Sequence, residues 1–144
     1  MFDEKKLIQP DISHGGNFAF DSNGDFYCTT TLYGYVKHEK IRESYTFLMA
    51  LLNSKVCWFF LQKTGTVLAN GYFRFMPRYI DSFPIPNLIH NESISVIEEL
   101  AEKIIEKKRL DIDSKDLEHR IDKLIYELYE LTTEEIKIIE SNCL

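Results

Sequence analysis

The chain has 144 residues, 44% of them apolar and 28% charged, with a formal net charge of −6. That length suits one domain, or one core with a helical appendage, and the core is large enough to need no disulfide or metal. The acidic total argues against a free-standing, nonspecific nucleic-acid binder, for which a basic balance is expected.

The opening run, Met1-Phe2-Asp3-Glu4-Lys5-Lys6, lacks an apolar segment and is not expected to act as a signal peptide. The first third reads as β-structure. Lys6–Gln9 is a short strand ended by Pro10, and Gly15-Gly16 lets the chain turn between strands. Asn17–Phe20 and Phe26–Thr31 flank Asp21–Asp25, whose Asn23-Gly24 pair tolerates the positive φ of a tight turn, so a hairpin is expected. Asp21, Asn23 and Asp25 match part of a calcium loop. Phe26 stands where that loop wants Gly, however, and Leu32 where it wants Glu, so a turn is the better reading.

Ser44–Lys63 reads as one helix, apolar on nearly every face and therefore central. Its apolar run is interrupted by Asn53, Ser54 and Lys55 and is shorter than the ~20 residues of a membrane span. Gly65 is placed to end it in the left-handed conformation. Tyr72–Met76 alternates as a strand, with Phe73 and Phe75 facing the core and Tyr72, Arg74 and Met76 facing away. Phe83-Pro84-Ile85-Pro86 forbids helix and ladder alike and forms an extended exit.

From Asn91 the pattern turns helical. Ser95 and Glu98 have capping-box spacing before the stripe Ile97, Leu100, Ala101, Ile104 and Ile105. A break at 111–114 precedes the stripe Leu117, Ile121, Leu124, Ile125 and Leu128. Thr132 and Glu135 then cap a last helix. The expectation is an α+β fold. A small mixed or antiparallel sheet packs on a central apolar helix over residues 5–88, followed by a helical hairpin or small bundle over 91–144.

Catalytic patterns are absent from the sequence. His14, His38, His90 and His119 lack metal-ligand spacing, and no HExxH, GxSxG, Walker or GxGxxG motif occurs. Cys28, Cys57 and Cys143 are odd in number without a CxxC, which suggests reduced thiols in a cytoplasmic protein. The charge is unevenly spread. Residues 37–78 hold seven Lys/Arg and two acids, whereas residues 87–144 hold eight Lys/Arg and fifteen acids. In the basic middle, Tyr33, Tyr35, Lys37, Lys63, Thr64, Thr66, Asn70, Tyr72, Arg74 and Arg78 fall near strand ends or loops. Arg and Lys can bond guanine O6 and N7, Asn can bond adenine, and hydroxyls can hold phosphates. The plainer reading makes the tyrosines caps of the core and the cations ordinary solvated surface.

The run Leu51–Leu61, then Lys63-Thr64-Gly65-Thr66, Gly71-Tyr72-Phe73-Arg74-Phe75 and Phe83-Pro84-Ile85-Pro86 resembles the TaqI-like C-terminal specificity domain. That domain belongs to type IIG restriction–modification enzymes and related N6-adenine DNA methyltransferases. The segment Ile121–Tyr129 resembles their closing helix, except that Glu130 stands where the family commonly has Gly. The resemblance implies a target-recognition domain that reads duplex DNA beside a methyltransferase or endonuclease domain. S-adenosylmethionine and a divalent metal would belong to those partner domains, and the chain itself would be non-catalytic, with no cofactor. Lys63, Thr64, Tyr72 and Arg74 become the first choices for DNA contact, joined by Asn70, Arg78, Tyr33 and Lys37. The alternative is a protein-interaction module whose amphipathic tail, 91–144, pairs with a methyltransferase subunit or with itself.

Overall fold

A computed structural model describes residues 4–28, 30–74, 77–86, 88 and 91–142. Period-two alternation over β1 (Lys6–Pro10) sends Leu7 and Gln9 inward and makes this strand the centre of a sheet. Strands β3 (Ala19–Asp21) and β4 (Leu32–Tyr35) pair with it on opposite edges, both antiparallel. Leu7 lies beside Phe20 and Tyr35, and these side chains meet the helical layer. A second antiparallel sheet has the order β2 (Ile12–Ser13), β6 (Phe73–Arg74), β5 (Thr66–Val67). The expected α+β class with small antiparallel sheets is therefore the observed one.

The expected hairpin across Asp21–Asp25 does not form. Among the described residues the two flanks do not pair: residues 26–28, 30 and 31 are not strand, and the next strand, β4, pairs with β1 on the edge opposite β3. The reason lies in Asp21. Its buried carboxylate accepts the N–H groups of Gly24 (2.9 Å), Asp25 (3.0 Å) and Phe26 (3.0 Å), coiling the chain instead of extending it. Lys6 Nζ, equally buried, completes that shell at 2.8 Å. Burial works against the Asp21 carboxylate, but Lys6 and the N–H donors outweigh it and bring its pKa down to about 2. With those oxygens taken, the turn reading of the segment stands.

The expected single helix is two, α1 (Tyr45–Leu52) and α2 (Lys55–Thr64). The polar pair between them makes the break. Ser54 Oγ accepts the Cys57 N–H as an N-cap and donates to Leu51 O at 2.6 Å. Asn53 uses its amide as a strand would use its backbone, accepting from Phe18 N (2.8 Å) and donating to Phe18 O (2.9 Å). Gly65 ends α2 in extended backbone (φ −89°, ψ −176°), not the left-handed conformation. Glycine is required there for another reason: a Cβ would sit 2.7 Å from Leu61 O. Phe47, Leu51 and Cys57 are fully buried, and burial pushes the Cys57 thiol up to about 12.

Phe73 is buried and Arg74 exposed, as alternation predicts, whereas Phe75 and Met76 lie outside the described residues. A short helix, α3 (Pro77–Asp81), follows and was not read from the sequence. Phe83 then anchors the extended exit, its ring 5.4 Å from Phe60 and 6.0 Å from Tyr129.

Helices α4 (Ser93–Arg109), α5 (Lys115–Leu128) and α6 (Thr133–Asn142) complete the chain. The start of α4 differs from expectation: Asn91 Oδ1 accepts the Ser93 N–H, and Ser95 already lies inside the helix, donating to Glu92 O. The Thr132–Glu135 capping box forms reciprocally, at 3.2 and 3.1 Å. Ile97, Leu100, Ala101, Ile104, Ile121, Ile125 and Leu128 are buried in the same apolar cluster as Leu7, Phe47 and Leu51. A polar contact joins the same layers, since the buried Asp122 carboxylate accepts the Lys55 N–H at 2.9 Å. Burial raises its pKa against that bond.

Candidate nucleic-acid interface

The second sheet sorts its side chains by register. Ile12, Arg74 and Thr66 are paired across three strands and share one face, and all three are exposed. Ser13 and Phe73 are paired on the other face and buried. Phe73 also packs edge-on against Trp58 of α2, 4.9 Å between rings, which fixes the sheet on the helical layer.

Around Arg74 the exposed face is tied together by hydrogen bonds and ring contacts. Asp11, at the bend between β1 and β2, lies 3.3 Å from Arg74 Nε and accepts the Tyr33 hydroxyl at 3.3 Å. Burial, reinforced by the Asp11 charge, raises the Tyr33 phenol. On the other side Thr66 shares a hydrogen bond with the Tyr79 hydroxyl. Arg78 donates to that same oxygen at 2.9 Å and lies over the Tyr79 ring, 4.9 Å from its centre. These bonds from Thr66 and Arg78 lower the Tyr79 pKa. Two positions before Arg74, Tyr72 is exposed and packs on His14, 3.9 Å between ring centres.

Strands β5 and β6 form a short hairpin whose closing bond runs from Leu68 N to Tyr72 O at 2.7 Å. Its tip carries Asn70 in the left-handed conformation (φ 63°), exposed. Asn, with Gly and Asp, is among the residues that tolerate this geometry. Lys63 and Thr64 end α2 just before the hairpin. Lys63 is exposed beside the Phe59 ring, where its charge suits a helix C-terminus, and the Thr64 hydroxyl donates to Phe60 O.

Of the expected contact residues, then, Tyr33, Tyr72, Arg74 and Arg78 gather on or beside one face, with Lys63, Thr64 and Asn70 on the segments entering it. Lys37 lies apart. It follows the opposite end of β4, four residues or about 13 Å of extended chain beyond Tyr33. There its Nζ donates to Glu43 O at 2.8 Å and lies over the Tyr45 ring, fastening a loop. Tyr35 also turns away, toward the core, with its hydroxyl on Gln9 and its phenol raised by burial.

Asp11, His14 and Tyr79 were not foreseen. Pro77 at the first turn of α3 was a usable signal for the helix that carries Tyr79. Nothing local marks Asp11, whose partners lie 22 and 63 residues away.

Among the described residues no His, Cys, Asp and Glu side chains cluster as a metal site, and no helix is long and apolar enough to cross a membrane. A recess of about 640 Å³ opens between Gly15–Phe20, α1 and the α4–α5 pair, but none of the expected contact residues lines it.

The family model of the TaqI-like C-terminal specificity domain matches residues 1–85, more than half of the chain. The match takes in both sheets, α1, α2 and the whole Arg74 face. Its members are specificity domains of restriction–modification systems. On that match, this chain belongs to the TaqI-like C-terminal specificity domain family.

Proposed function

We propose that the chain reads a target sequence in duplex DNA as the specificity domain of a type IIG restriction–modification enzyme or N6-adenine DNA methyltransferase of a bacterial cytoplasm. It does so without turnover of its own. The observation that carries the reading is the exposed row Ile12–Arg74–Thr66, with Tyr72, Arg78 and Asn70 around it. A half-exposed guanidinium on a sheet face, an exposed amide at a hairpin tip and aromatic edges beside them are groups that read base edges and hold phosphates. In this reading residues 5–88 make the DNA contacts and 91–144 support them. A methyltransferase or endonuclease domain supplies the chemistry, S-adenosylmethionine, any divalent metal and much of the phosphate attraction that the acidic total lacks. Self-association through 91–144 is not needed, because the stripes of α4 and α5 are already buried against α1 and α2.

The test is an amide chemical-shift titration of the chain with short duplexes at low salt. Salt-sensitive shifts are expected at residues 11–14, 33, 63–74 and 78–79, and Arg74→Ala should weaken binding by about 1–3 kcal/mol with the fold unchanged. Shifts nowhere, or an Arg74→Ala variant that binds as before, would remove this reading.

A further inference from the structure

We infer that Asp11 is a positioning residue, one that turns the Arg74 guanidinium end-on toward a guanine in the DNA that the proposed function assigns to this face. The inference rests on that reading and adds the base that is read and the residue that fixes the reader.

A free arginine side chain has many rotamers, and a guanidinium that samples them all discriminates poorly between bases. Here one of its donors is already committed. Arg74 Nε points at the Asp11 carboxylate, 3.3 Å from Oδ2 and 3.4 Å from Oδ1. Among the described residues the two terminal nitrogens have no acceptor. With Nε–H held from behind, the outward pair is Nη1–H and Nη2–H, two parallel donors. Of the base edges in the major groove, guanine alone offers two adjacent acceptors, O6 and N7.

The buttress is itself anchored. The Asp11 side chain is only 10% exposed, whereas that of Arg74 is 51% exposed, so the acceptor is sheltered and the cation faces out. The Asp11 N–H donates to Thr31 O at 3.0 Å, and the Tyr33 hydroxyl donates to its carboxylate. Asp11 is thus fixed by the first sheet while it holds a residue of the second, and the angle between the sheets sets the direction of the guanidinium.

A phosphate could also take two parallel donors, but a phosphate contact gains little from such fixing. The exposed Ile12 beside Arg74 suits the edge of a base better than a backbone oxygen.

The experiment selects bound duplexes from a pool randomised over the site, using the full chain and sequencing the bound fraction. The wild type should show a guanine preference at one position. Asp11→Asn and Arg74→Ala should each relax that preference about 10-fold, leaving other positions unchanged, and Arg74→Ala should retain weaker but still salt-sensitive binding. Tyr33→Phe should relax it by less. A merely structural role for Asp11 would lower binding to every sequence alike and is read apart by this profile.

If Arg74→Ala keeps the guanine preference, Arg74 does not read that base and the inference falls. It falls equally if Asp11→Asn folds and selects as the wild type does. Should Asp11→Asn fail to fold, an unchanged Tyr33→Phe profile overturns it. A wild type that binds no duplex removes the recognition reading and this inference with it. A wild type that selects normally, alongside variants that select identically, removes this inference alone.

Discussion

Glu130 closes α5 with φ +53°, a conformation that costs an ordinary L-residue roughly 1–2 kcal/mol and costs glycine almost nothing. The bonds around it show why the chain accepts the strain. Glu130 N donates to Glu127 O at 3.0 Å and Leu131 N to Tyr126 O at 3.1 Å, so the last carbonyls of the helix are satisfied. The residue before it is also fixed, because the Tyr129 hydroxyl donates to Pro84 O at 2.7 Å and ties α5 to the extended exit. The Glu130 side chain is exposed. Glu130→Gly is therefore expected to raise stability by about 1 kcal/mol, seen as a higher urea midpoint at an unchanged slope. A midpoint that falls would mean the glutamate makes a stabilising contact. The glycine expected by family resemblance was thus a statement about backbone angle, and the structure meets that requirement with a different residue.

At the scale of elements the decisive feature is the break between α1 and α2. A helix running on through Asn53 would point its amide at water and leave the Phe18 backbone unpaired beside it. Breaking the helix lets one side chain satisfy both the N–H and the C=O of Phe18, which holds the loop of Gly15–Asn17 against the helical layer. Gly16 belongs to the same contact, since a Cβ there would lie 2.7 Å from Asn53 Oδ1. Asn53→Ala leaves both Phe18 groups without a partner and should cost about 1–3 kcal/mol by chemical denaturation. A loss of only a few tenths would show that water replaces the amide. The apolar content of this segment was legible in the sequence. Its division was not, because Asn, Ser and Lys in succession are compatible with one solvated turn of helix until the partner, Phe18, is known.

Across the whole molecule, the recognition segment and the helical segment share one apolar cluster. Leu51, fully buried in α1, belongs to the same core as Ile97, Ile104, Ile121 and Ile125. The N-terminus of α2 also donates a hydrogen bond, from the Lys55 N–H, to the α5 side chain of Asp122. A chain ending at residue 90 would uncover those faces. It is expected to lose cooperative unfolding and near-ultraviolet signal, checked by thermal melting against the full chain. A truncated chain that melts as sharply as the full one would show the two segments to be independent. The uneven charge acquires a structural sense here: the fifteen acids lie in the segment that supports the fold, whereas Arg74, Arg78 and Lys63 lie on, beside or leading into the sheet face.

By itself the sequence determined the things that depend on near neighbours. The alternation that buries Phe73 and exposes Arg74, the helical stripes, the Thr132–Glu135 cap and the α+β class all follow from spacing of a few residues. Its family motifs also placed Arg74, Tyr72 and Lys63 together before any geometry was known. Only the tertiary structure decided which strands pair, because Asp21 had to choose between hairpin geometry and a buried lysine fifteen residues away. It alone separated Lys37 from the other cations, and it alone put Asp11 behind Arg74. Those outcomes depend on partners distant in sequence, and pattern carries no record of a contact whose two halves become neighbours only when the sheets and helices pack.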